Sequence, residues 1–543
     1  VRWLDAAIQS VVDQRYSHWE LCIVDDASSL ADIQSRLEFW AEQDSRIKVD
    51  YLDTPSGISG ASNHALEMAQ GEFVALLDHD DLLAPDALAL NAQVIADKPQ
   101  VDLLYSDEDK IDTQGRRHTP FFKPDFSPEL LLGQNYIGHL VVTRKSLVTK
   151  VGGFRPAYDG AQDYDLLLRI CALSNRVHHI PRILYHWRSI PGSTASSFSA
   201  KSWANDAGQR AVQDLADKSG LDCVFNMGPD PGTYVPEFSI SGTPMVSIIV
   251  PFRDRAKLLD RCIDRALNKT AWQNLEIIAI NNGSEETETR DVMDKWKHSD
   301  APVRFLEFDE PFNFSRLCNF GVSHCDGEYV VLLNNDVEIT SDNWIEHLLG
   351  VAQQPGVGAV GSKLLYPDNT IQHAGIVVGI DSGAGHPYKG FPGDHRGYFM
   401  RLGLLHNVSA VTAALLMVSR ARYKEVGGFD EDSFGIAYND VDFCLKLGEA
   451  GYRHEYQNIA SETPDKCMDQ GIHTGQAKQR LRQQHFIPKQ SVFKRVIAQN
   501  KFAAKTRQKQ RVSPEPESHQ QARQGPGTGS TAPEYSADEP GHK

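Results

Sequence analysis

Residues 71–81 read GEFVALLDHDD and residues 327–336 read GEYVVLLNND, and this repeated pattern decides the fold. In each stretch, a short apolar run ends in a cluster of Asp, Asn or His side chains. An uncharged apolar run of this length predicts a buried strand. The sequence therefore predicts the same strand twice, 256 residues apart, with polar side chains at its carboxyl end.

The offset of 256 residues also relates other positions in the two halves of the chain. Residues 19–28 (WELCIVDDAS) match residues 275–284 (LEIIAINNGS). After a shift in register, VGGFRPAYDGAQDYDLLLRI from Val151 is matched by VGGFDEDSFGIAYNDVDFCLKL from Val426. Such self-similarity is typical of repeated structural modules. Identical pairs at the constant offset are Glu20 and Glu276, Ser28 and Ser284, Asn63 and Asn319, Gly71 and Gly327, Glu72 and Glu328, and Asp80 and Asp336.

Each copy alternates apolar strands with helical stretches, and two of its strands end in Asp or Asn. This alternation predicts an α/β fold with a mainly parallel sheet and helices on its faces. Ligands of such sheets bind beyond the carboxyl ends of the strands, which is where both polar clusters fall.

The repeat and the composition also predict the domain boundaries. The second module opens with VSIIV at residues 246–250, a predicted first strand. Its counterpart would lie about ten residues before Val1, so the first module is expected to lack this strand. Few large apolar residues follow Ser513, which is typical of disorder. The predicted parts are a first module (1–225), a linker rich in Pro and Gly (226–245), a second module (246–458) and a divergent, largely disordered tail (459–543).

The composition argues against several classes of function. The chain has 543 residues and a formal net charge of −17, whereas nucleic-acid-binding proteins present a clustered basic face, so no nucleic-acid partner is expected. The eight cysteines form no Cys-X-X-Cys pair, which favours a reducing, cytoplasmic setting. The sequence contains no apolar run of about 18 residues, so no membrane-spanning helix is predicted. The basic residues 501–511 leave peripheral contact with the inner face of a membrane open.

The acidic cluster of the first module comprises Asp78, His79, Asp80 and Asp81. Neighbouring carboxylates repel one another unless a cation or hydrogen-bond donors offset their charge. Oxygen ligands of this kind favour Mg²⁺ or Mn²⁺ over zinc. The alternative is a solvated turn in which Asp81 caps the helical stretch that follows.

Two further groups have both a chemical and a structural interpretation. Asp25 and Asp26 end an apolar strand, where a carboxylate can accept a hydrogen bond from a base or ribose, or form a turn. Asp163 opens a helical stretch, either as its N-cap or as a general base for a hydroxyl group. In the YHWR stretch, His186 is a structural histidine or a metal ligand, and Arg188 is a phosphate contact or a surface residue.

The motifs, in this order, resemble those of the inverting family 2 glycosyltransferases of the GT-A fold, especially two-module enzymes of bacterial surface-polysaccharide and O-antigen assembly. The resemblance covers about residues 1–458. It implies two Rossmann-like modules that transfer a sugar from a nucleotide-diphosphate donor to a glycan or lipid-linked glycan. The motifs are VDDAS, GEFVALLDHDD, YSDEDKID, FKPDFSPELLL, DGAQDYDLLLR and LYHWR.

The resemblance implies roles for residues of the first module. Asp163 would be the catalytic base that takes the proton of an acceptor hydroxyl, which attacks the anomeric carbon and inverts it. Asp80 and His186 would be ligands of a Mg²⁺ or Mn²⁺ ion that offsets charge on the leaving diphosphate. The residues implied to bind the nucleotide sugar are Asp25, Asp26, Asp78, Asp81 and Arg188.

In the second module, the resemblance implies Asp440 as the base and Asp336 as the metal ligand, with Asn281 and Asn334 binding the nucleotide sugar. This set carries less negative charge than that of the first module. The resemblance also leads one to expect a strand and a His-containing motif after Tyr456, but residues 458–484 show neither, and His473 stands in an unsuitable setting.

Two competing functions remain at this point. A sugar-phosphate nucleotidyltransferase also combines an α/β sheet with metal-binding carboxylates, but normally has a Gly-rich basic loop after its first strand. Residues 251–255 of the second module read PFRDR, without glycine. The other alternative is a scaffold that binds nucleotide or glycan without catalysis, particularly in the second module.

Overall fold

The elements are those of a computed structural model, which describes residues 2–190, 202–380 and 383–462. The helices are α1 (Arg2–Val12), α2 (Ala31–Gln43), α3 (Gly57–Met68), α4 (Ala87–Asp97), α5 (Pro128–Gly133), α6 (Lys145–Lys150), α7 (Gln162–Leu173), α8 (Ser202–Ser219), α9 (Ala256–Asn268), α10 (Thr287–Lys297), α11 (Phe314–Ser323), α12 (Trp344–Ala352), α13 (Arg420–Glu425) and α14 (Asn439–Glu449).

The strands of the first module are β1 (Leu21–Asp25), β2 (Ile47–Tyr51), β3 (Phe73–Ala75), β4 (Leu82–Leu83), β5 (Leu103–Ile111), β6 (Arg117–Phe121), β7 (Val141–Arg144) and β8 (Val177–Arg188). A hairpin follows, of β9 (Cys223–Met227) and β10 (Tyr234–Phe238). The strands of the second module are β11 (Val246–Phe252), β12 (Leu275–Asn281), β13 (Val303–Glu307), β14 (Tyr329–Leu333), β15 (Glu338–Ile339), β16 (Val357–Leu365), β17 (Ile371–His373), β18 (Val377–Val378), β19 (Ala384–Gly385), β20 (His406–Val408), β21 (Leu415–Ser419) and β22 (Arg453–Glu462).

The second module contains a mixed sheet in which β11 is central. The strand order is β13-β12-β11-β14-β21-β16-β22-β15, and β11 pairs in parallel with both β12 and β14. All seven residues of β12 are buried, because helices cover both faces of the sheet. Ile248 packs with Leu259 of α9 on one face, and Ile249 packs with Leu317 of α11 on the other. The expected α/β fold class is confirmed.

The first module has the same strand order with one interruption. Its larger sheet has the order β3-β7-β5-β8-β4, with β6 beside β5, while β1 and β2 form a separate parallel pair. In the second module, the strand between the counterparts of β1 and β3 is β11. In the described part of the first module, no strand lies in this position, and a gap separates the two sheets.

The residues predicted as a linker take part in the structure. Residues 226–245 include the end of β9 and all of β10, and the buried ring of Tyr234 packs in the core of the first module. A Pro- and Gly-rich composition marked the turns of this hairpin but did not show the pairing of its strands.

One sequence-based expectation about the end of the second module was wrong. No strand was expected in residues 458–484, yet β22 extends to Glu462 in parallel register with β16. The local sequence of β22 has no clear strand pattern, and the strand is stabilised by its backbone hydrogen bonds with β16. The rest of the predicted tail, residues 463–543, lies outside the described residues. Within those residues, no helix has the length and apolar character needed to cross a membrane.

Candidate active site

A cleft opens in the first module. It begins in the gap between β1 and β3 and continues to the carboxyl end of β3. Asp78, His139 and Asp163 all line it, although 24 or more residues separate each from the next in sequence. The sheet therefore brings two of the predicted carboxylates into one cavity, beside a histidine that the sequence analysis did not single out.

The two ends of the acidic cluster have different surroundings. Asp78 is exposed and Asp80 is partly exposed, whereas only 1% of Asp81 is exposed. The Asp81 carboxylate accepts hydrogen bonds from the Tyr185 hydroxyl and the Arg188 backbone N–H, both at 2.6 Å. Burial raises the pKa of Asp81 to about 7. Asp81 therefore fixes the turn against β8, and β4 follows it, so the alternative of a helix N-cap was wrong.

Arg188 also holds this turn. Its Nε atom donates a hydrogen bond to the Asp80 carbonyl oxygen at 2.6 Å, and its guanidinium lies 4.2 Å from the centre of the Trp3 ring. Arg188 is 3% exposed. These contacts orient the backbone of the acidic cluster, and the predicted role of Arg188 at the nucleotide sugar stays a prediction.

His186 is oriented by a carboxylate on the neighbouring strand. Its Nδ1 atom lies 2.6 Å from Oδ1 of Asp109. The other carboxylate oxygen of Asp109, Oδ2, accepts a hydrogen bond from Arg117. An ionised Asp109 accepts a hydrogen bond from the N–H group at Nδ1 of His186. Nε2 then remains as the ligand atom, an arrangement common for metal-binding histidines. The YSDEDKID stretch thus contributes through Asp109, for which the sequence analysis proposed no role.

The described residues contain no group of three or more His, Cys, Asp or Glu side chains that could hold a metal by themselves. Asp80 and His186 could supply two ligands at most. Mg²⁺ is usually bound by one or two carboxylates together with substrate phosphates and water, and two protein ligands fit that pattern. The donor set suits an ion that is shared with a diphosphate.

Asp25 and Asp26 diverge at the end of β1. The Asp25 carboxylate accepts a hydrogen bond from Ser28 N–H at 3.1 Å. The Asp26 carboxylate accepts hydrogen bonds from Ser56 and Gly57 N–H, which lowers its pKa and anchors the start of α3. Asp25 is therefore the better placed of the two to contact a nucleotide.

Asp163 lies in the first turn of α7. Its Oδ2 atom accepts a hydrogen bond from Asn135 Nδ2 at 3.0 Å. Burial raises its pKa, and the positive charge of His139 partly opposes this increase. A raised pKa brings a carboxylate closer to the range in which it can accept a proton from a hydroxyl.

His139 is the main residue that the sequence analysis missed. Its ring stacks on Tyr185 with centroids 4.7 Å apart. Burial disfavours its charged form, but nearby carboxylates, of which Asp78 contributes most, raise its pKa overall. A lone histidine before an apolar strand carries no local signal, because its carboxylate neighbours come from distant segments.

The loop that carries His139 is held by a buried ion pair. Lys123 Nζ lies 3.0 Å from Glu108 Oε2 and donates hydrogen bonds to the carbonyl oxygens of Ile137 and His139. The same Glu108 oxygen accepts the backbone N–H of His139 at 2.7 Å. This network gives a structural role to Glu108 of the YSDEDKID stretch and to Lys123 of the FKPDFSPELLL stretch.

The second module has Asp440 at the position that corresponds to Asp163, in different surroundings. Burial raises the pKa of Asp440, whose Oδ2 atom accepts a hydrogen bond from Ala413 N–H at 3.2 Å. The Asn281 side chain donates to Glu307 and accepts from Ser284 N–H. Asn334 and Asp336 follow β14 as predicted.

In the part of the second module that the structure describes, the pair formed by Asp109 and His186 has no counterpart. In the first module, β5 and β8 place Asp109 opposite His186. In the corresponding register of β16 and β22, Leu365 lies opposite Glu462. In its described residues, the second module therefore has no imidazole at the position where the first presents His186.

Comparisons with known proteins agree with the motif-based prediction. The chain is 45% identical over 450 residues to the uncharacterized protein y4gI of Sinorhizobium fredii, covering 82% of this chain and 50% of that protein. It is 37% identical over 452 residues to the O-antigen biosynthesis protein RfbC of Myxococcus xanthus, covering 83% and 35%. It is 33% identical over 171 residues to the putative colanic acid biosynthesis glycosyl transferase WcaA of Escherichia coli, covering 30% and 60%.

The chain thus spans half or less of the length of y4gI and RfbC. The model of the family described as "Glycosyl transferase family 2" matches residues 2–152 and 247–380, which lie in different modules and together make up about half of the chain. The match confirms the family predicted from the ordered motifs: this chain belongs to glycosyl transferase family 2.

Proposed function

We propose that the chain is a glycosyltransferase that moves a sugar from a nucleotide-diphosphate donor to a glycan or lipid-linked glycan during synthesis of a cell-surface polysaccharide. The observation that carries this proposal is the position of Asp163, a carboxylate of raised pKa in the same cleft as Asp78. Family membership and the O-antigen relative support it. A lipid-linked acceptor would place the reaction in the cytoplasm, at the inner face of the membrane.

In the proposed mechanism, Asp163 removes the proton of an acceptor hydroxyl as the oxygen attacks the anomeric carbon. The bond to the nucleoside diphosphate breaks on the opposite side, so the configuration inverts. Asn135 donates a hydrogen bond to Oδ2 of Asp163 and so orients the carboxylate. Asp25 contacts the nucleotide, and His139 contributes positive charge near the departing diphosphate.

Asp80 and His186 would hold a Mg²⁺ or Mn²⁺ ion in the first module. The ion would offset the negative charge that develops on the leaving diphosphate. With at most two protein ligands, we expect weak binding of Mn²⁺ alone and clearly tighter binding in the presence of a nucleoside diphosphate. Calorimetric titration with each addition measures the difference, and equal affinities in both titrations would contradict the shared site. Treatment with EDTA should stop turnover, and Mn²⁺ or Mg²⁺ should restore it.

At low pH, the pH dependence of the transfer rate should follow the protonation of Asp163. A base must be unprotonated, so the rate of transfer falls as the pH falls through its pKa, which burial raises above the ordinary value of 3.8. The charge of His139 lowers this pKa, so His139→Gln should move the acid limb of kcat/KM to higher pH. His64→Gln serves as a control, since His64 pairs with Asp50 on the surface. An unchanged limb in His139→Gln would rule out this coupling.

The simplest test of the proposed function is a screen of nucleotide sugars for release of nucleoside diphosphate with added Mn²⁺ or Mg²⁺. At least one donor should be turned over by the full chain. Absence of both binding and turnover with every donor would refute the enzymatic function.

A second function, nucleotide or glycan binding without catalysis, is favoured for the second module alone. The observation behind it is the register of Leu365 opposite Glu462 where the first module has Asp109 opposite His186. A phosphate loop for nucleotidyl transfer is not favoured, because the turn after β11 contains Arg253, Asp254 and Arg255 and no glycine. We propose that the first module includes the hairpin up to Phe238, in place of the boundary at residue 225, and that the second module begins at Val246 and includes β22 up to Glu462, in place of the boundary at residue 458.

A further inference from the structure

A short part of the second module reaches into the first. Residues 398–401, the crossing segment, follow β19 and precede β20. The Phe399 ring stacks on Phe121 of β6 with centroids 3.7 Å apart. The Tyr398 hydroxyl donates to the Pro120 carbonyl oxygen and accepts from Phe122 N–H, both at 3.0 Å. The crossing segment is therefore attached to the first module on both sides of Phe121.

Further contacts between the modules fix this attachment. Gln134 of the first module donates to the Phe399 carbonyl oxygen at 3.2 Å. Farther away, Arg453 pairs with Glu129 at 2.6 Å, where the Glu129 side chain is 12% exposed. Because several independent contacts join the modules, the crossing segment keeps a defined position relative to Asp163.

The backbone of the crossing segment is strained. Phe399 has a φ of 48° and Met400 a φ of 65°, a region that residues with a side chain seldom adopt. Both residues are partly exposed, and both line the cleft that contains Asp78 and Asp163. Strain of this kind is often found where a backbone holds side chains against a ligand.

The strand order shows which side of the cleft these residues occupy. In the second module, β12, the counterpart of β1, lies on one side of β14, and β16 with β17 lies on the other. The same order in the first module puts Asp25 and the pair of β5 and β6 on opposite sides of β3. Phe399 packs on β6, so it lies on the side away from the proposed nucleotide contact. Trp187, also partly exposed, lines the cleft on this side at the end of β8.

We propose that the second module builds the acceptor site of the first: Phe399 and Met400, together with Trp187, bind a sugar ring of the acceptor next to Asp163. This inference rests on the proposed function. Sugar rings present apolar C–H faces that pack on aromatic rings, and their hydroxyl groups remain free to reach a base. Aromatic side chains also supply a large, rigid contact area. A module with a depleted catalytic set would thereby still determine which acceptor is used.

The test separates transfer to a sugar from hydrolysis of the donor by water. Phe399→Ala, Phe399→Leu and Met400→Ala are compared in the full chain, with octyl glucoside, octyl galactoside and octyl N-acetylglucosaminide as acceptor probes. We expect the KM for the acceptor to rise about tenfold in the two alanine variants, with donor KM and donor hydrolysis unchanged. Phe399→Leu, which keeps an apolar contact, should give a smaller increase.

Phe391→Ala is the matched control, because Phe391 is an aromatic of the same region, 46% exposed, that packs on His395. Thermal melting of each variant checks the fold. An unchanged acceptor KM in Phe399→Ala and Met400→Ala would overturn the inference. It would also be overturned if the unmodified chain hydrolysed the donor but none of the glycosides increased the release of nucleoside diphosphate. Failure of the proposed function looks different, since no donor would then be bound or hydrolysed at all.

Discussion

Asp163→Asn is expected to reduce sugar transfer by about 10²–10⁴-fold, the usual contribution of a general base. Asparagine keeps the size of the side chain but cannot accept the proton of the acceptor hydroxyl. Donor binding should survive, because Asp163 is not among the proposed nucleotide contacts. Steady-state release of nucleoside diphosphate measures the first effect, and calorimetric titration with the donor measures the second.

Asp440→Asn provides the matched control, since Asp440 occupies the corresponding position on α14 of the second module. We expect it to leave most of the turnover intact. The opposite result, with turnover lost in Asp440→Asn and kept in Asp163→Asn, would transfer the catalytic role to the second module. Unchanged turnover in both variants would show that neither carboxylate is the base.

Lys123→Met should produce the largest loss of stability. The Lys123 side chain is fully buried, and its replacement leaves the Glu108 carboxylate without its cation in the interior. Removing one partner of a buried ion pair typically costs about 3–5 kcal/mol. The loop that carries His139 loses two hydrogen bonds at the same time. We therefore expect the first module to unfold at lower urea concentration, with turnover reduced even before unfolding.

Lys218→Met is the corresponding control in an exposed ion pair, since Lys218 pairs with Asp214 on α8 and is 62% exposed. Pairs of this kind contribute about 0.3–0.5 kcal/mol. Urea unfolding followed by circular dichroism compares the two variants. Equal unfolding midpoints for Lys123→Met and Lys218→Met would show that the buried pair does not stabilise the module.

The apolar strands were predictable because burial on both faces leaves a continuous apolar run. VSIIV became β11, and the runs before Asp25 and Asp78 became β1 and β3. The pairing of β22 with β16 was not predictable, because its local sequence has no such run and its hydrogen bonds depend on a partner about a hundred residues away.

The candidate site was predictable in part for the same reason. Asp78 follows an apolar strand and Asp163 opens a helix, both features that the sequence predicts, and the two residues line one cleft. The different surroundings of Asp81 and Asp26 were not predictable, because each is bound by groups from a distant segment: Tyr185 and Arg188 for Asp81, and the start of α3 for Asp26.

The α/β fold class, the family and the candidate base follow from the amino-acid sequence, since they depend on the order of apolar strands and on the residues beside them. Three features emerge only in the folded chain: His139 lies beside Asp163, Asp109 orients His186, and Phe399 enters the cleft of the first module. Each of these contacts joins segments that are distant in the chain. Their energies depend on separation in space and on burial, which no local pattern of residues records.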